Sequence, residues 1–174
     1  MSDLSSGCHS RTVRVIPAKA GIALVVFSVS LACSPARGRE SKAPETGPSV
    51  VLPSGARYAV EIAATPEFRA QGLMFRESLA ADRGMLFLFP SPTVEDFWMK
   101  NCNFPIDIVW MGPDRRVIYV SAHTPPCKED PCPKYGPRKE ALYVLEIPDG
   151  AAAKEKIVPG AILKFENVPG PPKT

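Results

Sequence analysis

Histidine is nearly absent from this chain. Only two occur, and past residue 32 His123 stands alone. The common hydrolytic metal sites, which take several imidazoles, therefore lack their ligands, and no metal is expected. An excess of one charge is also missing. Arg11, Arg14, Lys19 and Asp3 precede residue 33, which leaves 18 basic and 17 acidic side chains of the chain's 21 and 18. A near-neutral domain has no general pull on a phosphate backbone, so nucleic acid is not an expected partner. There is no Gly-rich phosphate loop, no Ser-centred nucleophile elbow, no zinc-protease helix and no dinucleotide fingerprint, so no cofactor is expected either. Internal repeats are lacking. The longest apolar run falls short of the roughly 20 residues that a spanning helix takes.

That run is residues 20–32, "AGIALVVFSVSLA", preceded by the basic residues just named and followed by Cys33. Its length and flanks fit a secretory signal over 1–32. "VSLAC" also resembles a lipoprotein signal, in which cleavage leaves Cys33 as a lipid-modified N-terminus. Ordinary cleavage with Cys33 as a plain thiol is the alternative. Residues 34–49, "SPARGRESKAPETGPS", hold proline, serine, glycine and mixed charge without apolar period. With Cys33 they read as a flexible tether over 33–49, with a reach of roughly 20–25 Å. The expected product is exported, periplasmic or in the cell envelope, and held to a membrane by its N-terminal lipid.

Two of the five cysteines, Cys8 and Cys33, fall in the address segment. "PPCKEDPCPKYGP", 125–137, carries Cys127 and Cys132 with four residues between them. Outside the cytoplasm such thiols tend to pair, and a disulfide is favoured over a zinc knuckle, for which only His123 stands near as a further ligand. Cys102 is left as a free thiol.

The folded part is expected over 50–168, with 169–174 as a disordered tail. "RYAVEIAAT", 57–65, alternates like a half-buried strand. In "TPEFRAQGL", Thr65 suits an N-cap, Pro66 the first helical position and Gly72 the stop, which predicts a short helix with Phe68 inward. "MLFLFP", "IDIVWM", "VIYVS", "ALYVLEIP" and "AILKFE" read as further strands, and "DGAAAKEKI" as a second short helix. The fold class is α+β: a compact, strongly curved, mostly antiparallel sheet, partly barrel-like, with two short helices.

"RAQGLMFRESL", "RGMLFLFP", "FWMKNCNFPIDIVWM", "ALYVLEIPDG" and "VPGAILKFE" resemble, in order, the blocks of the family catalogued as domain of unknown function 192. The resemblance covers about residues 57–166. It implies a small extracytoplasmic or membrane-anchored domain of compact β-rich fold. It implies no activity, ligand or catalytic residue. The loop with Cys127 and Cys132 is similar to that of secreted members.

The candidate chemistry lies in "DFWMKNCNFPIDIVW", 96–110. Taken as a hairpin, it pairs Trp98 with Asp107 and Met99 with Ile106. Trp98, Lys100 and Asp107 then share a face, and Arg76 or Arg83 can join them from the preceding turn. With Asn101 as a donor, this makes a small anionic-ligand pocket. The structural alternative is an ion pair with the Lys100 stem packed on Trp98. A Cys102–His123 nucleophile–base pair and a Cu(I) site from Met74, Met85, Met99 and Met111 are further readings. The expectation is a non-catalytic accessory domain that binds an envelope protein or a small anionic ligand. An enzyme using Lys100, Asp107 and an arginine is the alternative.

Overall fold

The computed structural model describes residues 47–173. The expected signal segment, the lipidation candidate Cys33 and most of the tether lie outside them. Nine strands and two short helices follow in the order β1 (Ser49–Val51), β2 (Arg57–Ala63), α1 (Pro66–Gln71), β3 (Arg83–Thr93), β4 (Phe97–Trp98), β5 (Ile106–Met111), β6 (Val117–Thr124), β7 (Lys134–Tyr135), β8 (Ala141–Pro148), α2 (Ala151–Lys154) and β9 (Lys164–Glu166). Ser49, the last residue of the expected tether, is already paired with Ala59 and Glu166. Among the described residues no helix is long and apolar enough to cross a membrane.

Seven strands form one mixed sheet in the order β6-β5-β8-β3-β2-β1-β9, curled into a half-barrel. Its edges approach one another: Arg116, just before β6, bridges to Ile162, and Val117 N donates to Ala161 O at 2.8 Å. β8 lies between β5 and β3, and every residue of β8 but Pro148 is buried. All six residues of β5 are buried as well, which is why both strands read as apolar runs broken by a single acid each, Asp107 and Glu146, rather than as alternating ones. Trp110, Phe87, Leu86 and Leu88 are among the largest fully buried side chains. Gly84 lets β3 and β8 close up, because a Cβ there would lie 2.7 Å from Glu146 O.

One pairing departs from the short-connection rule. β2 and β3 run parallel, joined by a crossover that contains α1. Thr65 caps α1 by accepting from Phe68 N, Pro66 opens it and Gly72 closes it, all as its residues predict. Phe68, however, points outward and is 60% exposed. The inward positions belong to Arg69, whose Nη1 donates to Ala64 O (2.5 Å) and Leu88 O (3.2 Å), and to Leu73 four residues on. Fixing Arg69 to those carbonyls turns Phe68 to solvent.

The 96–110 hairpin does not form. β4 pairs with β7, Phe97 against Tyr135 and Trp98 against Lys134, while β5 pairs with β6 and β8. Two pieces escaped the sequence pattern, β1 and β7, each of three residues or fewer.

Cys127 and Cys132 are joined in a disulfide, with Cα atoms 5.6 Å apart. The bridge stands just ahead of β7 and so holds the ribbon that braces β4. Replacing both cysteines by serine should lower the unfolding free energy by about 2 kcal/mol on the chain-entropy scale for so small a loop. The same change should speed hydrogen exchange at the Cys127 amide, which donates to Met99 O at 3.0 Å. Denaturant unfolding and exchange mass spectrometry measure the two effects.

Candidate functional site

The five residues expected to form a pocket do not converge. Arg76 forms a two-point ion pair with Glu61, at 2.5 and 2.7 Å. Lys100 Nζ reaches Asp130 at 2.8 Å and lies 5.5 Å from the centre of the Trp98 ring. The structural alternative for Lys100 and Trp98 therefore holds, with a different carboxylate. Asn101 sits at φ 57° and takes the Phe75 N–H on its carbonyl. Asp107 is wholly buried, and each of its oxygens accepts one backbone N–H at 2.8 Å, from His123 and from Ala152. It closes the N-terminus of α2, where Gly150 offers no side-chain cap. The reason for the miss is register: with β5 paired to β6 and β8 rather than to β4, Asp107 turns to α2 and not to Lys100.

The other readings fare alike. His123 Nδ1 lies 2.7 Å from Asp149 Oδ1 and has no contact with Cys102. Met85, Met99 and Met111 are buried core side chains, which removes the Cu(I) set. Asp107, His123 and Asp149 bring ligand atoms within 4.8 Å of one another, the one such group among the described residues. Both Asp107 oxygens are already spent on backbone amides, so the trio acts as a turn-and-helix clamp.

A cleft does exist, on the far side of Trp98. It has a cavity volume of about 490 Å³ and runs between α1 and the segment from Phe89 to Trp98. Pro66 and Ala70 line one wall; Phe89, Phe97 and Trp98 line the other, with Glu95 and Asp96 beside them. Trp98 is 45% exposed. Phe97 is held edge-on between Phe87 and Trp110, with centroids at 4.9 and 5.7 Å, so this wall is braced from the core. Trp110 Nε1 donates to Glu95 O at 3.1 Å and fixes the loop behind it.

A smaller space of about 30 Å³ adjoins the cleft and shares Arg69, Ala70, Phe97 and Trp98 with it. Glu146 and Cys102 face this smaller space. Glu146 is 5% exposed, in the middle of β8, and no group hydrogen-bonds to its Oε2. Burial pushes its carboxyl up to about 8, against a smaller opposing pull from Arg76. At neutral pH it is mostly a protonated acid. Burial, then the neighbouring Glu146, pushes the Cys102 thiol up to about 11, so it is neither a thiolate nor a nucleophile. Gly72, at φ 50°, allows the end of α1 to come over this floor: a Cβ there would stand 3.3 Å from the Phe87 ring and 3.9 Å from Glu146 Oε2.

The DUF192 model, described as "Uncharacterized ACR", matches residues 50–165. The chain belongs to the DUF192 family. Two solved structures are similar to it. A protein of unknown function from Novosphingobium aromaticivorans is 37% identical with a TM-score of 0.61; the match covers 67% of this chain and 82% of that one. A Sinorhizobium meliloti protein, assigned as a candidate transcription regulator, is 30% identical with a TM-score of 0.62, over 70% of this chain and 93% of that one. No curated protein matches. In this DUF192 domain the sequence pattern led to Trp98 but missed Glu146, although the signal was present. Glu146 is the one charged residue in "ALYVLEIP", a strand otherwise fit for burial on both faces.

Proposed function

We propose that this DUF192 domain is a non-catalytic binding module of the cell envelope, exported by residues 1–32 and anchored through a lipid on Cys33. Its cleft between α1 and the Phe97–Trp98 ribbon takes a small organic molecule. The observation that carries the reading is the unpartnered, buried Glu146 carboxyl beside an open, aromatic-walled cleft. Buried polar groups in folded domains find hydrogen-bond partners as a rule, and exceptions concentrate at working sites. Nothing in the cleft makes a nucleophile–base pair: Cys102 is held as a thiol, and His123 belongs to the α2 clamp. The Cys127–Cys132 bridge suits an oxidising compartment.

The anionic-ligand pocket expected around Arg76 and Lys100 is disfavoured, because these cations are engaged with Glu61 and Asp130. The near-neutral charge likewise speaks against carrying the transcription-regulator assignment of the Sinorhizobium protein over to this chain.

The test is an amide-shift screen with small cationic, neutral and anionic compounds, on the domain and on Ala70→Trp, which fills the cleft from the exposed face of α1. Saturable shifts at Ala70, Phe97 and the Trp98 indole, lost in the variant, are the expected result. No saturable shift with any class overturns the binding reading. For export, the mass of the mature protein should show an N-terminal Cys33 bearing acyl chains.

A further inference from the structure

We propose that the small space floored by Glu146 is the head-group pocket for a primary ammonium ion, whose organic body lies along Trp98 and Phe97 in the adjoining cleft. This deepens the binding reading above and rests on it.

Charge and hydrogen bonding point the same way. The head space is small, about 30 Å³, with room for a few water-sized groups. A primary ammonium brings N–H donors into it, which a trimethylammonium, a carboxylate or a phosphate dianion lacks. The charged groups around the two spaces are mostly acidic: Glu146 at the floor, Glu95 and Asp96 along the cleft. The cation among them, Arg69, has its Nη1 bound to the carbonyls of Ala64 and Leu88 and its guanidinium 5.3 Å from the centre of the Phe89 ring. Arg76 faces Glu146 from the segment after α1, but its charge is balanced by Glu61. Cys102, on the remaining side, offers a neutral thiol. An incoming anion would thus meet the Glu95 and Asp96 carboxylates along the cleft and a protonated Glu146 at the floor, with Arg69, bonded to neutral carbonyls, as the cation that lines both spaces. An incoming ammonium brings N–H donors to Glu146 Oε2, the buried acceptor that the domain leaves without a partner. The exposed Trp98 and the braced Phe97 offer apolar and π surface to the alkyl or aryl part.

The proton balance follows. In the free domain at neutral pH the Glu146 carboxyl carries a proton. The bound pair is ammonium and carboxylate, so binding releases one proton from Glu146 to solvent. Affinity should then rise close to tenfold per pH unit below the Glu146 midpoint, and level off above it.

n-Butylammonium is the probe, with 1-butanol, butyrate and butyltrimethylammonium as comparators, titrated by amide shifts at pH 6, 7 and 8. The expected result is saturable binding of n-butylammonium, at least tenfold tighter than any comparator at pH 8, weakening roughly fivefold from pH 8 to 7 and close to tenfold from pH 7 to 6. Glu146→Gln should weaken it by tenfold or more at pH 8 and flatten its pH profile. A flat profile in the unmodified domain overturns the proposal, and so does equal binding of butyltrimethylammonium. Preferential binding of 1-butanol or butyrate also overturns it, while leaving the cleft as a binding site. If none of the four gives saturable shifts, this inference falls, and the wider compound screen decides separately whether the binding reading survives.

Discussion

Glu146→Gln should make the domain several kcal/mol more stable at pH 8 and leave its stability at pH 4 nearly unchanged. The folded-state carboxyl is raised to about 8 from an ordinary value of 4.5. Below about pH 4.5 both folded and unfolded chains carry the proton, and the group makes no difference. From there to about pH 8 the unfolded chain loses the proton while the folded chain keeps it. Stability therefore falls as pH rises through that window, by about 1.4 kcal/mol per unit at most. The loss accumulates to about 5 kcal/mol, an order-of-magnitude figure, before it levels off above the folded midpoint. Glutamine has nearly the same shape and no proton to lose, so the difference between the two unfolding free energies isolates the term. Urea titrations of both proteins at pH 4, 6 and 8 give it. A group that destabilises its own domain at neutral pH, and bonds to nothing through Oε2, is kept for something other than folding. That is the link from packing to function.

Asp107→Ala should cost roughly 3–5 kcal/mol, because two hydrogen bonds to a carboxylate vanish and two backbone N–H groups lose their acceptor. One belongs to Ala152, which is 2% exposed, in the first turn of α2; the other belongs to His123, held at φ 52° at the end of β6. The substitution thus uncouples α2 and the β6 turn from β5 at once. Asp107→Asn keeps a single carbonyl acceptor and turns an amide donor toward the other N–H, so it should lose most of the same amount. Urea unfolding should show a lower midpoint with an unchanged slope, and exchange at the Ala152 and His123 amides should quicken. A catalytic or ligand-binding Asp107 would instead leave stability nearly intact when replaced by asparagine.

The main strands were legible because burial writes itself into composition. "MLFLFP", "IDIVWM" and "ALYVLEIP" are buried runs in the sheet, and Thr65, Pro66 and Gly72 punctuate α1 as their chemistry dictates. The partner of each strand was not legible. "DFWMKNCNFPIDIVW" has the appearance of a hairpin, but local pattern cannot state that β5 is claimed by β6 and β8, or that β4 is left for a two-residue β7, with Trp98 opposite Lys134, 36 residues further along the chain. The site inherits that error. Trp98 was grouped with Lys100, Arg76, Asn101 and Asp107 through a hairpin register that the sheet does not use, and of the five Trp98 is the one that lines the cleft. Glu146 was readable as an anomaly, one acid in a strand with no polar face; its unpartnered oxygen and its neighbours Arg69 and Cys102 needed three dimensions.

The most direct measurement of the account is the Glu146 carboxyl carbon resonance followed from pH 3 to 10 in the ligand-free domain. The account predicts a midpoint near 8, and a lower one once n-butylammonium is added to saturation. A midpoint at the ordinary carboxylate value, the same with and without that ion, would contradict it.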